Sequence, residues 1–587
     1  MASRPPSPKP ALPVIGTGLR DAFRAGYGLG DLRKDALAGL TIGIVAVPLA
    51  MALAIATGVP PQYGLYTAIV AGVVIALTGG SRFNVSGPTA AFVVILLPIV
   101  QQHGIGGLLV ATIMAGLILV AMGYARMGAL IQFVPYPVVL GFTAGIGVVI
   151  ATFQLPDFLG LTLEAPGGDY LARLGAILLA LPGIDPAEFG LGVMTLSILV
   201  LWPRLRLPVP GPLVALVVAA AVAWAANMML GGSIETVASR FSWEFRGASG
   251  QGIPPIAPGF ALPWQMPAAD GAPLGLSFNL FKVLLGPAIA IALLGAIESL
   301  LCGVIANGLT RTRHDPNAEL IGQGLGNIIA PFFGGITATA AIARTATSIR
   351  SGARSPLAAV VHSLVVLLAV VGLAGLLGLV PMAALAALLF VIAWNMSEPH
   401  LFIRTMRSAP RGDVAILLTC FLLTVLFDMV LAVAVGIGLA AALFIRQMAL
   451  LTHASRLEGS GGPGAQGFPP EVAVYDVNGP LFFAAAEKAV SSLHVVDPGV
   501  RLIVLEMSDV PSMDGTAVVA VQALVEEMQR QGVALVFAGL QARMVLKLRR
   551  AGVRRLPGRL AFCANMEHAR RVAARWLDPG AVNPAGG

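Results

Sequence analysis

The 587 residues are 57% hydrophobic and only 11% charged, and their mean hydropathy is +0.85. A water-soluble domain carries about 25% charged residues, so most of this sequence must be surrounded by lipid. The net charge of +8 comes from cations scattered between apolar runs. This pattern excludes the clustered cations of a nucleic-acid surface and is typical of positive-inside anchoring. The three cysteines stand far apart without metal-ligand spacing, so we expect neither a disulfide framework nor a metal site.

The N-terminal residues predict a tail. The Pro-rich start MASRPPSPKPALPVIG has no adjoining apolar stretch with a small-residue cleavage site, so it does not resemble a signal peptide. We expect it to be disordered. Residues 1–34 are predicted to form a tail that Arg33 and Lys34 place on the cytoplasmic side.

Apolar runs follow from Leu37 to Arg446, many of them near the roughly 20 residues that cross a hydrocarbon core. With the N-terminus inside, most arginines between the runs fall on the cytoplasmic side, which supports an even number of spans. Residues 35–448 are therefore predicted to be an all-α polytopic membrane domain, and residues 155–185 an external interfacial segment. The fourteen predicted spans are 36–57, 60–78, 84–101, 106–124, 131–152, 187–203, 208–230, 279–304, 317–333, 337–351, 356–379, 382–396, 412–427 and 429–446.

Two short spans interrupt this series, and each opens with a glycine pair, Gly79-Gly80 in one and Gly334-Gly335 in the other. Each is the third of seven spans in its half of the domain. A repeat with an odd number of spans must be inverted in the membrane, so the sequence predicts a 7+7 inverted repeat. When the glycine pairs are aligned, Thr89 corresponds to Arg344.

The same two segments are the predicted anion site. Half-helices that begin within a membrane present unpaired N–H groups and the positive end of the helix dipole, which attract an anion. In an alternative interpretation the small residues only permit close helix packing, and Arg344 reaches to the cytoplasmic interface. The predicted binding residues are Ser86, Gly87, Pro88, Thr89 and Ala90 in the first segment and Ala343, Arg344 and Thr345 in the second.

Glu298 is the most isolated ionisable residue of the apolar runs. Burial favours the neutral carboxyl, so Glu298 is a candidate for loading and releasing a proton. It could instead be a fixed partner of Arg344 or a hydrogen-bond donor in helix packing. The glycine-rich run at 322–327 resembles a nucleotide-binding loop but lacks a strand–turn–helix context, and no Walker motif is present. We therefore expect neither ATP-driven transport nor a cofactor.

A Gly/Pro-rich linker is predicted over 449–470, followed by a separate α/β domain over 471–577 and a disordered tail over 578–587. The predicted strands are 472–477, 502–506 and 534–537. The predicted helices are 486–493, 516–531 and 540–551.

Several motifs resemble those of the SulP (solute carrier family 26) anion transporters that carry a C-terminal STAS domain. They are PPQYGLY (60–66), VSGPTA (85–90), GAIESL (295–300), NAELIGQG (317–324) and IARTA (342–346). With PLAMALA (48–54) and WNMSE (394–398), they most resemble the bacterial C4-dicarboxylic acid transporters of that family. The resemblance implies a fourteen-helix fold with core and gate domains, an elevator-like motion, and a substrate held between the first, third, eighth and tenth spans.

The resemblance also adds Leu49 and Leu53 to the site. Many members have Gln where this chain has Leu49, which weakens an inference to sulfate. Many also have Asp where Asn307 stands, so a second acidic relay is in doubt. The bicarbonate branch is similar to sodium-coupled carriers with Asp in the eighth span. Glu298 stands in its place here and favours coupling to protons.

The implied function is proton-coupled uptake of C4-dicarboxylates across the bacterial inner membrane, with both termini cytoplasmic, and not an enzyme activity. Sulfate or bicarbonate transport, or anion exchange, is the alternative within the family. A non-transporting sensor with the STAS domain as its output is an alternative of another class. The implied partners are a small anion, protons, lipid, a second copy of the chain and a cytosolic protein for the STAS domain. Thr516 lies where related domains carry a phosphorylated residue, although it could simply cap the following helix.

Overall fold

The computed structural model describes residues 14–129, 134–163, 170–205, 207, 209–229, 234–245, 247–427, 429–451, 453–457, 467–482 and 499–578. Two compact units divide the chain, Met1–Ile437 and Gly438–Gly587. The first unit is helical and the second contains a mixed sheet with helices.

The described helices up to residue 451 are α1 (Thr17–Arg24), α2 (Leu29–Ala56), α3 (Pro61–Thr78), α4 (Val93–Tyr124), α5 (Tyr136–Leu159), α6 (Tyr170–Ala180), α7 (Pro186–Leu201), α8 (Gly211–Met229), α9 (Val237–Arg240), α10 (Phe278–Thr310), α11 (Pro316–Ile329), α12 (Ile342–Arg350), α13 (Leu357–Gly378), α14 (Met382–Ser397), α15 (Pro399–Ser408), α16 (Arg411–Leu426) and α17 (Met429–Leu451). Four short strands accompany them: β1 (Ser86–Gly87) pairs with β4 (Thr339–Ala340), and β2 (Ser242–Phe245) pairs with β3 (Ala248–Gln251).

Every predicted span overlaps one of these helices. In the described part of the chain, ten helical stretches are long and apolar enough to cross a membrane. The third and fourth predicted spans together make up one of these stretches, α4, which consists of two helices joined at a kink, because the backbone of Gly104 is not helical, with φ 65° and ψ −171°. The break between the two spans that was predicted near 101–104 is therefore confirmed at Gly104. The ninth, tenth and thirteenth spans are the shorter helices α11, α12 and α16.

The start of the chain is more ordered than a tail. The helix α2 begins at Leu29, and α1 precedes it within the predicted tail. The N–H groups of Gly16 and Gly18 donate to the carbonyl groups of Thr78 and Gly79, at 2.8 and 3.2 Å. These bonds hold the beginning of α1 against the end of α3, which corrects the prediction of disorder for the described residues from 14 onward.

A buried carboxylate ties the start of α2 to the loop before α13. Asp35 accepts hydrogen bonds from the hydroxyl groups of Tyr27 and Ser355 and from the N–H of Arg354. Burial, together with the hydrogen bond to Asp35, raises the pKa of Tyr27 to about 12. Tyr27 therefore remains a hydrogen-bond donor at neutral pH.

The packing of the spans follows the relation that an inverted repeat requires. The eleventh span, α13, packs on the first and second, which are α2 and α3. The fourth span, the second part of α4, corresponds to α13 in the repeat, and α4 packs on the eighth and ninth spans, α10 and α11. A second group of helices, α5, α7, α14 and α16, packs largely among its own members. These two groups match the implied core and gate domains.

The second unit contains a five-stranded sheet in the order β5 (His453–Arg456), β6 (Val472–Asn478), β7 (Leu502–Glu506), β8 (Ala534–Ala538) and β9 (Leu560–Cys563). The strand β5 is antiparallel to β6, and the other neighbours are parallel. The helices α18 (Gly515–Arg530) and α19 (Ala542–Arg550) contribute to the core on one face, and α20 (Met566–Leu577) covers the other. Alternate residues of β7 and β8 enter each core, as a sheet covered on both faces requires.

The three predicted strands and two of the predicted helices of this unit are confirmed. The strand β5 lies within the predicted linker, and β9 and α20 were not predicted. The predicted helix over 486–493 lies outside the described residues.

Candidate functional site

The two predicted half-helices start from a short antiparallel strand pair inside the first unit. Ser86 is paired with Ala340 and Gly87 with Thr339. The strand β1 leads through Pro88 and Thr89 into a helical turn at 90–92 and then α4, whereas β4 leads into α12. Because the strands are antiparallel, the chain leaves the pair in opposite directions, and one helix begins on each side.

The two helices start at different positions relative to their glycine pairs. Ser86 and Gly87 belong to the strand, so the first helical turn begins only at Ala90. The second helix begins at Ile342, which aligns with Gly87 through the glycine pairs. Thr89 therefore precedes its helix, whereas Arg344 lies in the first turn of α12. The alignment identified both segments but not their register.

Arg344 lies at the centre of this arrangement and is only 4% exposed. Its Nη2 donates to the carbonyl oxygen of Pro88. Among the described residues, no partner is found for its Nε or Nη1. Gly87 lies directly against the guanidinium, because a Cβ there would be 2.4 Å from Nη1. The alternative that Arg344 reaches to the membrane interface is therefore wrong.

Glu298 of α10 contacts the first half-helix. The hydroxyl of Thr89 donates to its Oε2 at 3.0 Å, so Thr89 does not cap the helical turn that follows. In the described part of the chain, Glu298 and Arg344 form no direct ion pair, and Glu298 acts as an acceptor and not as the donor considered above. Both Glu298 and Thr89 are partly exposed.

The remaining predicted residues fall into two groups. Ser86 accepts a hydrogen bond from Gln323 at 3.0 Å, while Thr345 is buried and accepts the N–H of Val85 at 3.0 Å. These two side chains hold the segments together. Ala90 is buried at its helix start, whereas Ala343 is exposed.

Leu49 and Leu53 lie four residues apart on the same side of α2. Leu49 is half-buried and Leu53 is buried, and α2 packs on α12. The structure thus brings the two helix starts, Glu298 and Arg344 together, and it places α2 beside one of them.

The sequence predictions assigned no role to several buried polar residues near these segments, among them Glu319, Gln323 and Asn327 of α11 and His362 of α13. Each is a polar side chain inside an apolar run, which was the signal that identified Glu298. Glu319 and Gln323 also stand within the NAELIGQG motif, but no role was assigned to them.

In the second unit, Thr516 is the second residue of α18 and is exposed. The residue that caps α18 is Asp514, whose side chain accepts the N–H of Ala517 at 2.8 Å. The interpretation of Thr516 as the helix cap is therefore wrong, and its regulatory role stays a prediction. Within the described ranges, no group of three or more His, Cys, Asp or Glu side chains could hold a metal ion.

The model of the sulfate permease family matches residues 32–420, and that of the STAS domain matches residues 467–569. The chain belongs to the sulfate permease family. It is an anion transporter of the SulP type with a C-terminal STAS domain, and not an enzyme. YvdB of Bacillus subtilis, which carries the provisional name of a sulfate transporter, is 38% identical over 90% of this chain and 95% of its own length. The bicarbonate transporter BicA of a Picosynechococcus strain is 29% identical over 88% of this chain and 91% of its own length.

Solved structures agree with this assignment of the SulP chain. The transmembrane domain of a cyanobacterial BicA is 29% identical, covers 69% of this chain and 98% of its own, and has a TM-score of 0.58. The murine Solute Carrier 26 family member A9 anion transporter in the inward-facing state covers 91% of this chain and 90% of its own at 20% identity, with a TM-score of 0.77. The second likeness, at 20% identity, shows the fold over 91% of the SulP chain.

Proposed function

We propose that this SulP protein is a proton-coupled anion transporter that takes up C4-dicarboxylates such as succinate and fumarate. The observation that carries the proposal is the buried Arg344 guanidinium with two unpartnered nitrogens, in the first turn of α12. A buried cation is costly unless it is paired, so an anion at this position is strongly favoured. The helix starts at Ala90 and Ile342 add N–H groups and the positive ends of two helix dipoles.

Glu298 is proposed to carry the proton. With Glu298 ionised, its charge offsets that of Arg344, and the pair is neutral. Protonation of Glu298 leaves the site with a net positive charge, which raises the affinity for an anion. By linkage the bound anion raises the affinity for the proton to the same degree, so the two are loaded and released together.

The preference for a dicarboxylate rests on Leu49 and Leu53. The half-buried side chain of Leu49 and the buried side chain of Leu53 make this side of α2 apolar, which suits the hydrocarbon segment between two carboxylates better than a compact oxyanion. The similarity to YvdB and BicA favours sulfate or bicarbonate as the alternative substrate. In both cases we propose that the group of α2–α4 and α10–α13 moves as an elevator against the group of α5, α7, α14 and α16.

The protein is further proposed to lie in the bacterial inner membrane with both termini in the cytoplasm, to form a homodimer, and to bind a cytosolic regulator through its STAS domain. Thr516 remains the proposed regulatory position, because its exposed place in the first turn of α18 would accommodate a phosphate.

The test is uptake of radiolabelled succinate, sulfate and bicarbonate by proteoliposomes that contain the purified full-length chain, with the membrane potential clamped. We expect succinate uptake to rise when the outside is made acidic, and an excess of unlabelled sulfate to compete poorly. Glu298→Gln should remove the response to the pH gradient. Succinate uptake that ignores the gradient, or a pH response that survives Glu298→Gln, would contradict proton coupling. Preferred uptake of sulfate or bicarbonate would show that this anion, and not a dicarboxylate, is the substrate.

A further inference from the structure

Three buried polar side chains lie at intervals of four residues on α11, namely Glu319, Gln323 and Asn327. Residues four apart lie on the same side of a helix, so the three form one face, which we call the α11 polar face. Their exposed fractions are 1%, 0% and 1%. A buried polar group costs free energy unless it is hydrogen-bonded, so the partners of this face show what it does.

The Glu319 carboxylate binds the loop between α3 and β1. Its Oε2 accepts the N–H groups of Gly80 and Ser81, both at 2.9 Å, and its Oε1 accepts the side-chain amides of Asn84 at 2.8 Å and Gln323 at 3.1 Å. All four donors are N–H groups, which suits an ionised carboxylate because that group only accepts. Hydrogen bonds of this kind are charge-assisted and stronger than neutral ones.

The other two members reach the strand pair itself. Gln323 donates to the hydroxyl of Ser86 on β1. Asn327 forms two hydrogen bonds with the backbone of Ala338, directly before β4: its Oδ1 accepts the N–H at 2.8 Å, and its Nδ2 donates to the carbonyl at 2.9 Å. One helix face therefore holds the segments that lead to both helix starts.

The network also extends to α10. The Asn84 amide that donates to Glu319 also donates to the carbonyl of Ser299, at 3.3 Å. Ser299 is the neighbour of Glu298 in the chain. Glu319 is thus two hydrogen bonds away from the backbone beside the proposed proton carrier.

The glycine-rich run at 322–327 explains how this face comes so close to its partners. A Cβ at Gly322 would lie 2.5 Å from the Cα of Gly79, and one at Gly324 would lie 2.6 Å from the carbonyl oxygen of Gly116. The run that resembled a nucleotide-binding loop is helical, and these glycines let α11 approach α3 and α4 closely.

We infer that the α11 polar face is the positioning element of the anion site, in which Glu319, Gln323 and Asn327 fix the two helix starts relative to Glu298 and Arg344. This inference rests on the proposed function, because the positioned groups are those of the proposed site. A shift of about 1 Å in a positioned group can cost roughly 100-fold in the step that it serves.

The experiment uses Glu319→Gln in the full-length protein. Glutamine has the size of glutamate, but it offers one acceptor oxygen and turns an NH₂ group toward N–H donors. We expect hydrogen–deuterium exchange of residues 79–92 to rise about tenfold or more. The apparent KM of whichever of succinate, sulfate and bicarbonate the wild type transports should also rise about tenfold.

Two further variants separate positioning from general destabilisation. Glu188→Gln removes another buried carboxylate, on α7, and should leave both the exchange of 79–92 and the KM as in the wild type. Glu319→Asp keeps the charge on a side chain one methylene shorter and should recover part of the lost affinity.

Wild-type exchange at 79–92 in Glu319→Gln would overturn the inference, as would raised exchange with an unchanged KM. If the wild type transports none of the three anions, the proposed function fails separately. The exchange of 79–92 then decides the inference alone: a rise supports the positioning of the helix start, and no rise overturns it.

Discussion

Alanine at position 87 should move the Arg344 guanidinium without removing it. The added Cβ would lie 2.4 Å from Nη1, whereas ordinary van der Waals contact begins at 3.4 Å, so the group must retreat by about 1 Å. The contacted atom is the end of a long flexible side chain, so the fold persists while the charge is displaced. The displaced guanidinium loses its hydrogen bond to Pro88. Loss of one charge-assisted hydrogen bond between this guanidinium and the bound anion costs about 1.5–3 kcal/mol, which corresponds to a roughly ten- to 150-fold weaker anion affinity.

The assay is the apparent KM for uptake by proteoliposomes, measured for Gly87→Ala beside the wild type. Gly286→Ala is the matched control, because Gly286 lies on α10 with nothing within 4 Å of its potential Cβ. The control should transport like the wild type, and both variants should elute as the wild type does in size-exclusion chromatography. An affinity of Gly87→Ala within twofold of the wild-type value would refute the placement of Arg344 in the anion site.

Three further predictions concern other parts of the chain. Because the pKa of Tyr27 is raised to about 12, its hydrogen bond to Asp35 stabilises the fold fully below pH 10 and is lost as the pH rises toward 12. Tyr27→Phe should therefore abolish the decrease of the unfolding temperature that this loss causes above pH 10. A variant whose unfolding temperature still decreases as in the wild type would contradict this prediction. Gly18→Val should release α1, because a Cβ there would lie 2.4 Å from a backbone carbonyl, and faster hydrogen exchange over 17–24 would show this; protection equal to the wild type would count against the contact. Asp514→Ala should destabilise the start of α18 by about 1 kcal/mol, whereas Thr516→Ala should change its stability by less than about 0.5 kcal/mol. Local hydrogen exchange in the full chain measures both changes, and equal effects would be inconsistent with Asp514 as the cap.

The helices of the first unit could be predicted because lipid leaves the backbone no partner except itself, so long apolar runs must be helical. Not all of the helix ends could be predicted. The break predicted near 101–104 is confirmed at Gly104, but α1 and the start of α2 at Leu29 lie within the predicted tail. The register of the half-helices was also missed, since strand pairing between Ser86 and Ala340 is a contact across some 250 residues without a local signature.

The site shows the same limit. Arg344 and Glu298 could be identified because an ionisable residue in an apolar run needs a reason. Their actual partners, Pro88 and Thr89, were predicted as site residues but not as hydrogen-bond partners. Glu319 was overlooked because its partners are backbone N–H groups 238 and 239 residues away.

In the second unit, β6, β7 and β8 were predicted within one residue of their bounds, whereas β9, whose sequence LAFC is also apolar, was missed. The strand β5 has only four residues, HASR, and none of the apolar pattern of a buried strand. It forms because β6 offers an edge, to which its residues from His453 to Arg456 bind. Such a strand depends on a neighbour and cannot be seen locally.

The two nitrogens of Arg344 that have no partner among the described residues also affect the rate of the transport cycle. In the empty carrier ionised Glu298 offsets the charge of Arg344, but the buried Nε and Nη1 have no acceptor among the described residues, whereas a bound anion supplies acceptors, so the empty carrier is the costlier species. The return of the empty carrier is then the slow half of the cycle. We expect anion trapped inside vesicles to speed the entry of labelled anion from outside, so that counter-flow outpaces net uptake.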